Sequence, residues 1–163
     1  MRIEELMSRE VQYCRPDETL DRAASLMWDR DCGCVPVCSG DGAPRVVGMI
    51  TDRDICMAAL FQGRPLSELK VSEAMSADVR TCRPADRPAA VESVMRDQQI
   101  RRVPVVDERG SLIGIVSLAD LAREAEKQNA SASQDITETE IGDTLAAICE
   151  PGQRRSGGAE ARA

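Results

Sequence analysis

Histidine is absent from all 163 residues, and only three aromatic side chains occur, Tyr13, Trp28 and Phe61. Without imidazole, the commonest general acid–base and the commonest nitrogen ligand for metals are both missing. A zinc site here would need four thiolates, or carboxylate help. With so few rings, the core must be assembled from Val, Ile, Leu, Met and Ala. No apolar run reaches the roughly 18 residues that a membrane-spanning helix requires, and the N-terminus lacks a hydrophobic signal core. The expectation is a soluble, cytoplasmic protein. The net charge is −7 and no basic tract interrupts it, which excludes a surface that tracks nucleic-acid phosphates with clustered Lys and Arg. Neither a Gly-x-Ser-x-Gly elbow nor a phosphate loop ending in Gly-Lys-Ser/Thr is present. Gly40-Asp41-Gly42 lacks the acidic spacing of a calcium loop and reads as a turn. Nothing in this inventory supports catalysis.

Cysteine, by contrast, is plentiful. The seven thiols form an odd number in a chain without an export signal, so small buried hydrophobes in a reducing compartment are the simplest account. Cys32, Cys34 and Cys38 are the only cluster, and they leave open a metal or redox sensor as a competing reading. Cys32-Gly33-Cys34 falls where a second copy of the sequence has Ile100-Arg101-Arg102, so the repeated unit itself does not require a metal there.

That second copy is the dominant feature of the chain. Met7-Ser8 returns as Met75-Ser76, Cys14-Arg15-Pro16 as Cys82-Arg83-Pro84, Met27 as Met95, and Val35-Pro36-Val37 as Val103-Pro104-Val105, each 68 positions on. Gly48-Met49-Ile50-Thr51-Asp52-Arg53-Asp54 then returns as Gly114-Ile115-Val116-Ser117-Leu118-Ala119-Asp120, 66 positions on, the two lost residues falling in a turn. Internal repetition sets the fold. A unit of about 60 to 70 residues is marginal as a lone core, so the two copies are expected to pack together.

Within each copy the pattern reads strand, helix, strand, strand, helix. In the first, a brief strand is expected near Val11 to Cys14. A helix opened by Pro16 and capped by Asp17 follows, with Leu20, Ala23, Leu26, Met27 and Arg30 at helical spacing. Val35-Pro36-Val37 and Arg45 to Ile50 form a strand pair across a Gly/Asp turn. A helix from about Asp52 to Phe61 ends before Gly63-Arg64-Pro65. The fold class is α/β in the mixed α+β sense. The units are repeat one, 1–66; repeat two, 67–128; a polar linker, 129–134; an added helix, 135–150; and a disordered tail, 151–163. Trp28, whose counterpart is Arg96, lies off the shared helical stripe. It is a candidate interface residue or a flank of the core, and Phe61 carries the same ambiguity.

The corner Gly-apolar-apolar-Thr/Ser-x-x-Asp occurs in both copies. One reading is a capping box, Thr51 with Asp54 and Ser117 with Asp120. A second is a nucleotide cleft. A helix start offers free N–H groups and a positive dipole end to phosphate, and a carboxylate there can accept two hydrogen bonds from a ribose diol. The apolar Val35, Pro36, Val103 and Pro104 stand ready to sandwich a base. Arg101 and Arg102 are suited to phosphate through their planar forks, and Arg53 is placed to reach across from the first corner. This ranks the corner with Ser117, Asp120 and the two arginines as the stronger phosphate site, the alternative for those arginines being surface pairing with Asp97.

These corners, with the Met-Ser and Val-Pro-Val pairs, resemble the CBS domain over about residues 1 to 127, and specifically a tandem CBS pair, or Bateman module. Gly48-Met49-Ile50-Thr51-Asp52-Arg53-Asp54-Ile55 is especially similar to stand-alone bacterial CBS-pair proteins, hypoxic-response types among them. The resemblance implies two repeats related by a pseudo-two-fold axis, clefts for AMP, ADP or ATP between them, a homodimer, and an unidentified target protein. It assigns ribose binding to Asp54 and Asp120, with Thr51 and Ser117 near phosphate. The competing readings are a scaffold protein of a stress response and the cysteine-based sensor.

Overall fold

A computed structural model describes residues 1–40, 42–128 and 135–151. The expected tail and the polar linker therefore lie almost entirely outside the described residues. Repeat one contributes α1 (Leu20–Asp29), β1 (Cys34–Ser39), β2 (Arg45–Thr51) and α2 (Asp52–Gln62). Repeat two contributes α3 (Pro88–Gln98), β3 (Arg102–Val106), β4 (Leu112–Ser117) and α4 (Leu118–Gln128), and α5 (Glu138–Cys149) follows. The fold is mixed α+β, with β1–β2 and β3–β4 as two small antiparallel sheets.

The registers match pair for pair. Val35 faces Ile50 and Pro36 faces Met49 in the first sheet; Val103 faces Val116 and Pro104 faces Ile115 in the second. A proline is tolerated in each strand because a two-stranded sheet is all edge. The expected strand at Val11 to Cys14 shrinks to a single parallel bridge, Cys14 to Val37, repeated as Cys82 to Val105. Cys14 N–H donates to Pro36 O at 3.1 Å and Cys38 N–H to Cys14 O at 2.9 Å. The next parallel step would need an N–H from Pro16, which has none. Pro84 stops the copy in the same way. The cysteine of this bridge is buried in both repeats, and burial pushes the thiols of Cys14 and Cys82 each up to about 12. They behave as hydrophobes.

Helix α1 begins at Leu20, with Thr19 at its N-cap and no side-chain cap, not at Asp17. Leu20 N–H donates to Leu69 O at 2.9 Å and Val71 N–H to Glu18 O at 2.8 Å. This pairing, with Thr19 bridged to Lys70, holds Thr19 extended and delays the helix. Leu20, Ala23, Leu26 and Met27 are buried as their spacing predicts. Arg30 is the exposed C-cap rather than a member of the stripe.

The same contact reveals how the copies are joined. Leu69 and Val71, which precede the second copy of the motif, belong to the core of Leu20, Met27, Val37 and Ile50. Reciprocally Ile3 and Met7 belong to the core of Met95, Val103, Val116 and Leu121. Ser8 bridges Ile115 and Ser76 bridges Met49, so each Met-Ser adds an edge to the other repeat's sheet. This exchange is pseudo-two-fold symmetric, and it accounts for the repeated glycines. A Cβ on Gly48 would stand 2.7 Å from Met75 Sδ and 3.2 Å from Ser76 O, and on Gly114 it would stand 2.5 Å from Met7 Sδ and 3.1 Å from Ser8 O.

Helix α5 packs on α3 and α4, placing Ile136 and Ile148 in the second core. Leu145 and Ala146 on the same helix are exposed, and Thr144 is buried. Its hydroxyl finds no well-aligned partner, beside the buried carboxyl of Glu92 on α3. Burial foremost, then the charge of Glu140, raises Glu92 above its ordinary 4.5, while Arg96 and the Thr144 hydroxyl oppose the shift. A carboxyl raised by folding adds stability that is complete below its unfolded value and is lost as pH rises through its folded one. Glu92→Gln should therefore exceed wild type in urea midpoint at neutral pH by roughly 1 kcal/mol of stability, the low end for an ill-paired buried polar group. The gap should close as pH falls below 4.5. A gap independent of pH would assign the effect to packing.

Candidate functional site

Each strand β2 and β4 runs directly into a helix, and the turn between them is where the repeated hydroxyl and carboxylate meet. At the first corner Thr51 N–H and Thr51 Oγ1 both donate to Asp54 Oδ2, at 2.9 and 2.7 Å, and Asp54 N–H donates back to Thr51 Oγ1 at 3.1 Å. At the second, Ser117 N–H and Oγ donate to Asp120 Oδ2 at 2.8 and 2.6 Å, and Asp120 N–H returns to Ser117 Oγ at 3.2 Å. Both capping boxes are formed, and both carboxylates are half-buried rather than sealed.

A box of this kind is not by itself a binding signature. Thr137 and Glu140 build an equivalent one at the start of α5, with Glu140 Oε2 accepting at 2.9 and 2.8 Å. Two things set the repeated corners apart. Each follows directly on a strand, with Asp52 N–H tied to Gly33 O at 3.1 Å and Leu118 N–H to Arg101 O at 2.9 Å, so the helix mouth opens beside the neighbouring strand. And each box engages only Oδ2, which leaves the second carboxylate oxygen to its surroundings.

There the copies differ. Asp54 Oδ1 accepts no hydrogen bond among the described residues, whereas Asp120 Oδ1 is held by Arg123. That partner was missed in the sequence, although it lies three residues along the same helix, where the first copy has Met57. The pair is unequal in exposure, 65 % for the Arg123 side chain and 13 % for Asp120.

The arginines expected at the second corner have other contacts. Arg101 Nη2 lies 3.5 Å from Cys149 Sγ on α5, and Arg102 Nη1 lies 3.8 Å from Cys34 Sγ. Cys34 and Arg102 are repeat equivalents, so this contact lies across the pseudo-two-fold relation. Burial raises the Cys34 thiol, and the Arg102 guanidinium opposes the shift. Neither arginine pairs with Asp97 among the described residues. The Arg101 backbone adjoins the second corner through its carbonyl, while among the described residues the two guanidinium groups contact Cys149 on α5 and Cys34 across the repeats rather than Asp120. Arg53 is exposed, and its guanidinium has no ion pair among the described residues.

Val35, Pro36, Val103 and Pro104 are all buried, Val35 and Val103 within the two cores, so they back the corners from inside the strands. An open cavity of about 400 Å³ lies nearby, between α1 and α2, bounded by Trp28, Asp31, Gly33, Asp52 and Ile55 among others. Asp52 and Gly33 connect it to the first corner, but Thr51 and Asp54 are not among its walls. Of the cysteine cluster, Cys38 is fully buried and its thiol is pushed up to about 11 by burial, while Cys32 and Cys34 are half-buried. Among the described residues no three His, Cys, Asp or Glu side chains gather as a metal cage. No helix there is long and apolar enough to cross a membrane.

Known proteins place this arrangement. The CBS domain profile matches residues 3–60 and again 71–127. A CBS domain-containing protein, YhcV, of Bacillus subtilis is 36 % identical over 135 residues, spanning 83 % of this chain and 92 % of its own. Hypoxic response protein 1 of Mycobacterium tuberculosis is 33 % identical over 150 residues, spanning 90 % of this chain and 93 % of its own. A crystal structure of Hypoxic Response Protein I with two coordinated zinc ions aligns with a TM-score of 0.67 at 32 % identity, over 76 % of this chain and 98 % of that one. The CBS domain pair of protein MJ0100, in complex with 5-methylthioadenosine and S-adenosyl-L-methionine, aligns with a TM-score of 0.66 at 25 % identity, over 76 % of this chain and 98 % of that one. Matched corners, exchanged lead-ins and both matched segments agree: this chain belongs to the CBS domain family, as a tandem CBS pair.

Proposed function

We propose that this protein is a non-catalytic cytoplasmic regulatory module that binds an adenosine-type nucleotide, AMP, ADP or ATP, at its helix-mouth corners, and signals occupancy to a partner protein. The observation that carries the reading is Oδ1 of Asp54, which accepts no hydrogen bond among the described residues. The carboxylate is already oriented by Thr51 through Oδ2, so its second oxygen is preorganised to accept from a ribose diol without reorganising the box. Thr51 and the first N–H groups of α2 stand beside it for phosphate, with Arg53 adjacent in sequence. The adenosine compounds held by the MJ0100 pair support the same ligand class.

On this reading the first corner, not the second, is the better ribose site. A diol at Asp120 must displace Arg123, and Arg101 and Arg102 are engaged with cysteines. Signalling needs only that the ligand favour one arrangement of the repeats over another, since it can shift that equilibrium by no more than its differential affinity.

Thermal melts with AMP, ADP, ATP and S-adenosylmethionine test the proposal. Ligand at 100 times its dissociation constant adds about 2.7 kcal/mol, or roughly 5–10 °C for a chain of this size. No shift with any of them favours the scaffold reading, in which the corners serve only as helix caps. The zinc held by the hypoxic response protein keeps a thiol sensor in view, but the burial of Cys38 and its raised thiol argue against a three-cysteine cage here.

A further inference from the structure

Helix α5 is an addition to the paired repeats. It lies beyond both segments that the CBS profile matches, and it seats on α3 and α4. Its hold is narrow. Of the twelve residues in α5, Thr144 and Ile148 alone are buried, and Ile136 joins them from just before the helix. Leu145 on the same helix is 44 % exposed. Gln99 Nε2 ties down the far end, donating to Ala147 O at 3.3 Å and Glu150 O at 3.0 Å. A helix with so few buried apolar side chains can lift from its seat at far lower free energy than global unfolding requires.

The repeat beneath does not need this cover. The repeat-one counterparts of Glu92, Met95 and Leu121 are Ala24, Met27 and Ile55, and these line the open cavity of about 400 Å³. That face is folded with no described segment of the chain over it, and the α3–α4 face has the same architecture.

Charge sets the strength of the hold. Glu92 of α3 is 3 % exposed and lies beside the Thr144 hydroxyl, which has no well-aligned partner. Glu140 of α5 brings a second carboxylate close, and Glu126 of α4 and Glu138 of α5 line the adjoining groove together. The cation facing Glu92 is Arg96 of α3. It donates to Ser93 Oγ at 3.3 Å and forms no ion pair among the described residues. Two further cations stand at the ends of the contact, Arg101 against Cys149 Sγ and the Met1 amino group against Asp135. Carboxylates thus stand on all three helices, and an ionised Glu92 in the seat is a buried charge without a partner. With α5 lifted, water solvates the same carboxylate.

We propose that α5 is a pH-sensitive cover, seated on α3 and α4 while Glu92 is protonated and loosened as Glu92 ionises, so that the α3–α4 face opens while both repeats stay folded. The sign follows from the seat. Burial foremost, then Glu140, holds the seated carboxyl above its ordinary 4.5. Seating is therefore fully favoured below the ordinary value and weakens as pH rises through the seated one. The cover does not rest on the nucleotide reading.

Hydrogen exchange of the full chain, read by mass spectrometry and corrected for the intrinsic rate at each pH, tests the proposal. Amides of α5 should be at least about tenfold less protected than those of α1, because they open without global unfolding. Their protection should fall by up to about tenfold per pH unit above 4.5 and level off once the seated Glu92 is ionised. Glu92→Gln keeps the size of the side chain and should hold α5 protection level across the same range. Ile148→Ala, which removes the apolar anchor, should strip protection from α5 while α1 stays protected. Equal protection of α5 and α1, a wild-type profile flat with pH, a Glu92→Gln variant that follows the wild-type slope, or loss of α1 protection in Ile148→Ala would each overturn the proposal.

Discussion

Truncating Leu69 or Ile3 to alanine should destabilise the whole protein by about 2–5 kcal/mol, the range for emptying a fully buried aliphatic site. Both are completely buried, yet each lies in the lead-in of one repeat and packs in the core of the other. At roughly 2–4 °C per kcal/mol for a chain of this length, the melting temperature should fall by about 4–20 °C. The loss should be global. Leu69 belongs to the core that holds α1 and Ile3 to the core that holds α3, and each segment is covalently continuous with the opposite repeat. A cavity on either side therefore loosens the exchange that joins them, and one cooperative transition should persist. Leu145→Ala, on the exposed side of α5, serves as the control and should stay within about 0.5 kcal/mol of wild type. Two separated transitions in the Leu69 variant, or losses below 1 kcal/mol in both, would show that the repeats fold as independent units.

Asp54→Ala should weaken nucleotide binding roughly 100-fold or more. Two charge-assisted hydrogen bonds to a ribose diol contribute about 1.5–3 kcal/mol each when well formed, and 1.4 kcal/mol is a factor of ten. The same substitution removes the capping partner of Thr51, which costs about 0.5–2 kcal/mol of stability, so a weakened fold must be separated from a lost contact. Thr137→Ala provides the separation. It breaks the equivalent box on α5 and should lower stability by a similar amount while leaving affinity intact. Asp120→Ala should cost less affinity than Asp54→Ala, because Oδ1 of Asp120 is already engaged by Arg123. Equal losses at the two corners would reject the ranking drawn from this pairing.

Much of this was legible in the repeat. Equal spacing of the glycine, hydroxyl and carboxylate placed both helix mouths correctly, because a capping box depends only on residues within one turn. The buried stripe of α1 was legible for a similar reason. Contacts between copies were not. Thr19 replaces Asp17 as the helix start because Leu69 and Val71 pair with the preceding residues, a tertiary constraint absent from local propensity. The Met-Ser pairs were visible as repeats but not as sheet edges, and the glycines opposite them show why they recur. The strand at Cys14 ends in one bridge because proline lacks the next donor, a fact present in the sequence but readable only once the pairing is parallel. Arg123 was within reach, since an i,i+3 neighbour of a site carboxylate deserves inspection wherever a second copy has an apolar residue there. The contacts of Arg101 with Cys149 and of Arg102 with Cys34 were not, because they depend on where α5 docks and on which residues face each other across the repeats.

Recognition of a ribose by the preoriented carboxylate of Asp54 is read out by calorimetric titration of the wild-type protein with the tightest-binding of AMP, ADP and ATP and with its 2′-deoxy analogue. Loss of one hydroxyl removes one charge-assisted bond, so the analogue should bind about 10- to 100-fold more weakly, and Asp54→Ala should bind the two alike. Equal affinity of the wild type for both nucleotides would contradict the account, since the carboxylate of Asp54 would then be a helix cap and nothing more.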